Sequence, residues 1–547
     1  MDSTEPTSDF KCIPVAATIQ TLYEPSRIAF ALNQVLKSIK TIAEREFLPP
    51  RWGKVRMGVG KSIGDCPPTP ALPHGVGRET IPHRAAPGCV NSCALTEREP
   101  FRFETASKPM PATSTRRLIA SWFLIAVLLA TQARAEDWPR WGGPRGNGTW
   151  RGPKLVETWP DAGLRVEWSR AVGGGYGGVS VADGRVHLMD RQTEPREVER
   201  ILCFGASSGE LLWHYDYPVT YGKLDYGNGP RATPTISGGR VYTLGAVGHV
   251  CCLDATSGKL VWSKDCVAEF NARIPTWGLA ASPVVWNDRV IVQPGAEGGS
   301  LMALDKLSGA ELWRASSDPA GYATPVIIES PSGTQLVAWT PEHILGIDPR
   351  AGTIHWSVPY EVMYGVSIAT PIYRDGIVFI SGYWAGSKAI RLGAKPADAE
   401  LVWEENKFLR GLMAQPLYRE GHVYTIDKQF GLTCFELATG KKLWDDGNQM
   451  TLRGRNPQAT LVWLGQSDRA IILNSEGELI LARLNPEGYR EQSRTLIIAR
   501  KVNSPIWAHP AYAGRRVYAR SDSELVCVEL PVASDGDSES KGKPRTD

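Results

Sequence analysis

The sequence predicts an all-β protein, an eight-bladed β-propeller of four-stranded blades closed by a strand from the N-terminal side of the ring. Three observations carry this prediction. The 547 residues include 55 Gly and 40 Pro, both above their usual share, together with 19 Trp, a composition of many turns and many large anchors. A strand-turn-strand unit then recurs, as in Leu253-Asp254-Ala255-Thr256-Ser257-Gly258-Lys259-Leu260-Val261-Trp262 and Leu304-Asp305-Lys306-Leu307-Ser308-Gly309-Ala310-Glu311-Leu312-Trp313. Finally, a second marker, small-polar-Pro, opens the units: Ala232-Thr233-Pro234, Ala281-Ser282-Pro283, Ala323-Thr324-Pro325, Ala369-Thr370-Pro371, Ala414-Gln415-Pro416 and Ala508-His509-Pro510.

The elements follow in chain order. Residues 1–109 show no sustained apolar period outside Ile28–Ile42 and form no predicted domain. Gly58-Val59-Gly60-Lys61-Ser62 resembles the end of a phosphate-binding loop, but Val55 stands where that loop needs Gly. Arg116-Arg117, the apolar run Leu118–Ala130 and Ala133-Arg134-Ala135 make residues 110–135 a predicted signal peptide, too short for a membrane span. Such a signal works only at an N-terminus, so translation is expected to start at Met110, with 1–109 an upstream mis-called or disordered segment. Cleavage would leave Glu136 first, not Cys, so no lipid anchor is expected. The mature protein is then periplasmic or secreted, with no membrane span.

Residues 136–163 form a lead-in segment. From 164 to 531, Trp168, Trp213, Trp262, Trp313, Trp356, Trp403 and Trp444 recur at steps of 41 to 51 residues, so the unit is about 46 residues and eight units fit. Four short strands fit each unit, which is a propeller blade. The interval between Pro416 and Pro510 is twice the usual one, so an unmarked seventh blade lies near 460–489. The last unit has three strands, so Arg165–Ala171 is expected to supply its fourth and to remove the open edge. Residues 532–547 read as a disordered polar tail.

The Asp-Ala-Thr-x-Gly-Lys-x-x-Trp pattern resembles the pyrroloquinoline-quinone-like (quinoprotein-type) propeller repeat, in which a Trp of the outer strand docks onto the next blade. All seven Trp named above are expected in that role. Asp137-Trp138-Pro139-Arg140-Trp141-Gly142-Gly143-Pro144 is similar to the mature start of exported members of unassigned activity, and so is Asn485-Pro486-Glu487-Gly488-Tyr489-Arg490-Glu491. The family includes quinone-dependent alcohol dehydrogenases and a lipoprotein that scaffolds outer-membrane barrel assembly. Glu136 departs from the lipoprotein pattern. Cys251-Cys252 is vicinal, as in many dehydrogenases, yet it falls inside the third strand of blade two, where successive residues face opposite ways. It reads as two packing residues among the six mature Cys (203, 251, 252, 266, 434 and 527). There is no Cys-x-x-Cys-His for an attached haem. Gly205-Ala206-Ser207-Ser208-Gly209 is blade one's hairpin turn rather than a hydrolase elbow.

Propeller ligands gather at the channel mouth, and here the loops running into each first strand hold Tyr176, Tyr226, Asn228, Arg231, Trp277, Tyr322, Tyr364, Arg410, Arg455, Asn456, Trp507 and His509. Arg pairs carboxylates and Trp stacks on flat rings, chemistry that suits a quinone, a peptide or a sugar. No catalytic signature and no metal set stand out; Asp225, Asn228 and Asp318 are scattered oxygen donors without a calcium motif. The 61 basic and 58 acidic residues leave a net charge of +3, which gives no basis for a nucleic-acid partner. The expected function is an exported, monomeric binding or scaffolding module that takes a protein, peptide or small molecule at the channel mouth. The alternative that the resemblance implies is a dehydrogenase using pyrroloquinoline quinone with Ca²⁺.

Overall fold

The computed structural model describes residues 136–534 apart from 223, 228, 412, 455, 502 and 503. All of them belong to the second of the two units into which the chain divides, Pro109–Asp547. The expected signal peptide and everything before it lie outside the described residues.

Eight antiparallel sheets follow one another along the chain. Blade 1 is Ser180–Ala182, Arg185–Gln192, Val198–Gly205 and Leu211–Pro218, and blades 2 to 7 repeat the plan to Leu496. Blade 8 takes three strands from Ala511–Ala513, Arg516–Arg520 and Glu524–Glu529, and its fourth from Val166–Ala171, which pairs antiparallel with Glu524–Glu529. The ring is therefore closed by a strand from the start of the propeller, with Trp168 opposite Cys527.

The repeated residues explain how neighbouring sheets grip each other. In blade 2 the Asp254 carboxylate accepts from the N–H groups of Thr256 and Ser257 at 3.2 and 2.9 Å, and Gly258 closes the turn at φ +71°. This is Asx-turn chemistry, with Gly in the left-handed region where it carries no steric penalty. The same Gly has a second task. A Cβ added to Gly258 would lie 2.6 Å from the ring of Trp213 in blade 1, and one at Gly309 would lie 2.7 Å from Trp262. The backbone thus approaches closely enough for each indole Nε1 to donate to the residue after the Asp: Trp213 to Ala255 O at 3.2 Å and Trp313 to Pro349 O at 3.1 Å.

Two blades depart from the pattern. The hairpin of blade 5 runs through Gly393 and Asp398 without the Asp-x-x-x-Gly spacing, and Trp356 of blade 4 instead donates to Gln335 of its own sheet at 2.8 Å, over Gly346. Blade 7 places Ser493 at the Trp position. There the lead-in supplies the ring: Trp159 N donates to Ser493 Oγ at 3.0 Å and its Nε1 to Leu479 O at 2.9 Å. The lead-in also holds the chain past the last blade, since Leu155 bridges Val532 and Ala533 N donates to Lys154 O at 2.9 Å. These two residues are paired where the sequence suggested unstructured tail.

Cys251 and Cys252 are free thiols buried on opposite faces of their strand, one in the core toward blade 1 and the other in the core toward blade 3. Burial raises both thiols, that of Cys252 to about 11.

An aromatic chamber floored by the lead-in segment

The small-polar-Pro markers line the channel, and their side chains tie one first strand to the next. Gly178 N donates to Thr233 Oγ1 at 3.1 Å, Thr233 N to Ser282 Oγ at 3.0 Å, and Ser282 N to Thr324 Oγ1 at 3.0 Å. On the other side of the ring the markers turn to the lead-in. Trp141 Nε1 donates to Thr370 Oγ1 at 2.8 Å, Gln415 Nε2 donates to Gly146 O at 3.0 Å, and the His509 ring packs on Trp141 at 3.8 Å between centroids, tilted by 34°. Trp138 bridges Val181 in blade 1, Pro139 O accepts from Ile236 N in blade 2, and Thr149–Trp150 run parallel to Trp463–Leu464 in blade 7. A segment bonded to first strands around the ring lies across the channel that those strands enclose. Its contact with Asp183, in the turn after the first strand of blade 1, puts it at the end away from the loops that enter the first strands.

Above Trp141 lies a cavity of about 390 Å³. Trp507 sits 5.5 Å from Tyr176 and 5.6 Å from Tyr226; Trp277 packs on Tyr322 at 5.9 Å, and Tyr383 meets Trp384 at 4.4 Å. The polar lining is sparse: Asp225, Arg231, Thr324, Asn456, Gln458 and His509. Arg231 donates to the carbonyls of Gly229, Asp225 and Tyr226, which uses three of its five N–H groups. Burial pulls its pKa below the usual arginine value. Burial also pushes the His509 imidazole down to about 3, so it is neutral at physiological pH. Three atoms of residues that line the cavity, Trp507 Nε1, His509 Nε2 and Gln458 Oε1, are themselves buried in the wall without a hydrogen-bond partner. Native interiors rarely leave such atoms unpaired.

Eight of the entry-loop residues singled out from the sequence meet in this lining: Tyr176, Tyr226, Arg231, Trp277, Tyr322, Asn456, Trp507 and His509. Asp225, named there as an oxygen donor, joins them. Tyr364 is exposed and touches the chamber only through its contact with Trp384 at 5.7 Å. Arg410 does not line the chamber; its backbone N–H donates to the buried Asp427 carboxylate and its guanidinium to Gln429. Arg455 and Asn228 lie outside the described residues. Asp318 sits elsewhere, bonded to Thr340 and His343.

The sequence reading missed Trp141, Tyr383, Trp384, Met413 and Gln458. Gln458 stands two residues beyond Asn456, at the unmarked start of blade 7. Tyr383 and Trp384 come from a turn between second and third strands, which the count of entry loops passes over.

The family model for the outer membrane protein assembly factor BamB, a PQQ-like repeat, matches residues 197–444 and 342–537. The chain belongs to the PQQ-like β-propeller family. Among solved structures, BamB from Moraxella catarrhalis is 16% identical over 68% of this chain and 99% of its own, with a TM-score of 0.48. A europium-containing methanol dehydrogenase is 11% identical over 72% of this chain and 98% of its own, at 0.54. A quinohemoprotein alcohol dehydrogenase from Comamonas testosteroni is 13% identical over 75% and 82%, also at 0.54. At these identities the likeness is one of fold. No curated protein matches the chain in sequence. Among the described residues no helix is long and apolar enough to cross a membrane.

Proposed function

We propose that this PQQ-like propeller is an exported binding module whose chamber takes a ligand with a flat apolar face and a polar edge. The observation that carries the reading is the lining itself, in which tryptophan and tyrosine rings surround a few polar side chains. A ring seated among Trp277, Trp384 and Trp507 would gain stacking. Its edge would find the polar side chains of the lining, Asp225, Thr324 and Asn456 among them. Export rests on the signal-like stretch 110–135.

The chamber's chemistry argues against the dehydrogenase alternative. Pyrroloquinoline quinone carries three carboxylates, whereas Arg231 is the only cationic side chain among the described lining residues and its N–H groups are mostly spent on carbonyls. Ca²⁺ takes six to eight oxygens, usually with several carboxylates, and Asp225 is the only carboxylate in the described lining.

Incubating the full chain with pyrroloquinoline quinone and Ca²⁺, followed by gel filtration and an alcohol-dependent dye assay, separates the readings. The binding module retains no quinone and reduces no dye. Native mass spectrometry of the chain isolated from its source should show a bound small molecule that Trp277→Ala and Trp507→Ala lose. Quinone retention with alcohol-dependent dye reduction would overturn the reading.

A further inference from the structure

A second cavity, of about 400 Å³, lies on the other side of Trp141, between the lead-in and the first strands of blades 2 to 5. Its chemistry is unlike that of the chamber. Three arginines face it: Arg140 and Arg145 from the lead-in and Arg374 from blade 5. Arg145 is neutralised by Glu136 in a fork of 2.6 and 2.8 Å. Arg140 and Arg374 have no carboxylate at ion-pair distance among the described residues.

The Arg140 guanidinium donates to Pro144 O at 3.1 Å, and its pKa is lowered by burial with no acid to offset it. Arg374 donates to Tyr373 O at 2.6 Å and lies 5.9 Å from the centre of the Tyr418 ring. Its neighbour Asp375 is engaged by the Tyr418 hydroxyl. Each guanidinium has five N–H groups, so most of their donors are uncommitted. Asn147 adds another, because its carbonyl accepts from Thr149 N and its amide N–H groups remain. The one carboxylate among the described lining residues, Glu329, is exposed and accepts from Thr334 with both oxygens, at 2.9 and 3.0 Å.

Charge taken out of water without a partner is costly, and forked guanidinium donors match oxyanions. We propose that this cavity is an oxyanion site for a small molecule bearing a phosphate or adjacent carboxylates, held by Arg140 and Arg374. The volume is that of a small-ligand site. The lead-in has a reason to place an arginine here: Gly142 and Gly143, at φ +70° and +81°, fold the segment back on Trp138 and Gly146, where a Cβ would clash at 2.7 to 2.8 Å. That fold presents Arg140 to one compartment and Trp141 to both. The proposal uses no chamber ligand and stands or falls apart from the function proposed above.

Isothermal titration of the full chain with pyrophosphate in low salt, and separately with citrate, tests it. One site is expected, weakened about 10-fold by Arg140→Gln or Arg374→Gln, lost in the double variant, and weakened by added salt. Arg515→Gln, which removes a surface ion pair with Glu529, should bind as wild type. Binding of pyrophosphate alone assigns the site to phosphate, and binding of citrate alone to carboxylates. Arg374→Lys keeps the charge without the fork and should retain part of the affinity, so the site can be tested even if the double variant does not fold. Absence of binding of both probes at millimolar concentration, or wild-type affinity in a folded double variant, would overturn the proposal.

Discussion

Replacing Trp168 by Ala removes the ring that locks the closing strand of blade 8 onto blade 1. Trp168 is 7% exposed, like Trp213 and Trp262 at 9% and 8%. A Cβ at Gly209 would lie 2.6 Å from its ring, and its Nε1 donates to Ala206 O at 3.1 Å. That carbonyl also accepts from the Tyr518 hydroxyl at 3.1 Å, so truncation strands no acceptor. The cost is then that of lost apolar contact and the cavity left behind, about 3 to 5 kcal/mol. With an unfolding entropy of about 2.1 cal/mol/K per residue over roughly 370 residues, this lowers Tm by about 4 to 6 °C. Trp168→Phe keeps most of the ring contact and loses one hydrogen bond, worth about 1 kcal/mol, so its shift should stay near 1 to 2 °C. Scanning calorimetry of the full chain measures both. A shift below about 1 °C for Trp168→Ala would refute the claim that the two ends of the ring are joined through this side chain.

Three further outcomes follow from the same contacts. Gly258→Ala meets both a positive φ and the Trp213 ring, whereas Gly239→Ala, at φ +73° with nothing within 4 Å, meets only the backbone strain of about 1 kcal/mol; urea melts should show the first costing at least twice the second, and equal costs would discount the close approach. Trp159, 5% exposed, replaces the missing outer-strand ring of blade 7, so Trp159→Ala should cost about 3 to 5 kcal/mol; a cost under about 1 kcal/mol would mean that the lead-in merely lies on the blade. His509 is held neutral by burial, its pKa moved from about 6.5 down to about 3. The unfolded chain therefore binds the extra proton, and this contribution to stability is complete above pH 6.5 and lost as pH falls toward 3. Wild type should lose stability more steeply than His509→Gln between pH 6.5 and 4, and parallel curves would contradict the burial argument.

The blades could be read from sequence because one contact is repeated in it. The turn Gly and the outer-strand Trp touch across every regular blade interface, so each constrains the other and both recur with the period of the fold. The exceptions were invisible for the same reason. Nothing in the local sequence of Trp356 says that the next hairpin lacks its acceptor, and Trp159 lies some 300 residues from the blade it completes. The chamber was half legible. Entry loops can be located by counting back from each marker, which found Tyr176, Tyr226, Arg231, Trp277, Tyr322, Asn456, Trp507 and His509. Counting does not say where a side chain points: the Asp427 carboxylate accepts the Arg410 N–H, and Arg410 stands outside the lining. Trp141 was present in a quoted motif, but strand periodicity carries no information about a segment that precedes the first strand.

That segment changes what the ring is for. A propeller without it has a channel running between its first strands, with one set of loops at each end. The lead-in divides the channel, and Trp141 is a wall of both resulting cavities, apolar and aromatic above, cationic below. The residues that hold blades together, the outer-strand Trp and the hairpin Gly, sit at the ring's outer side and at the end away from the entry loops. Apart from the markers Thr324 and His509, chamber residues are thus separated from the contacts that hold the fold, and the loops can be changed with little effect on stability. Trp141 is a further exception. Its indole is bonded to Thr370, packed against His509 and next in the chain to Arg140, so a change there reaches the floor of the chamber, the wall of the oxyanion cavity and two of the markers that line the channel. Coupling between the two compartments would run through this ring and through Thr324, because both cavities are built against these two residues.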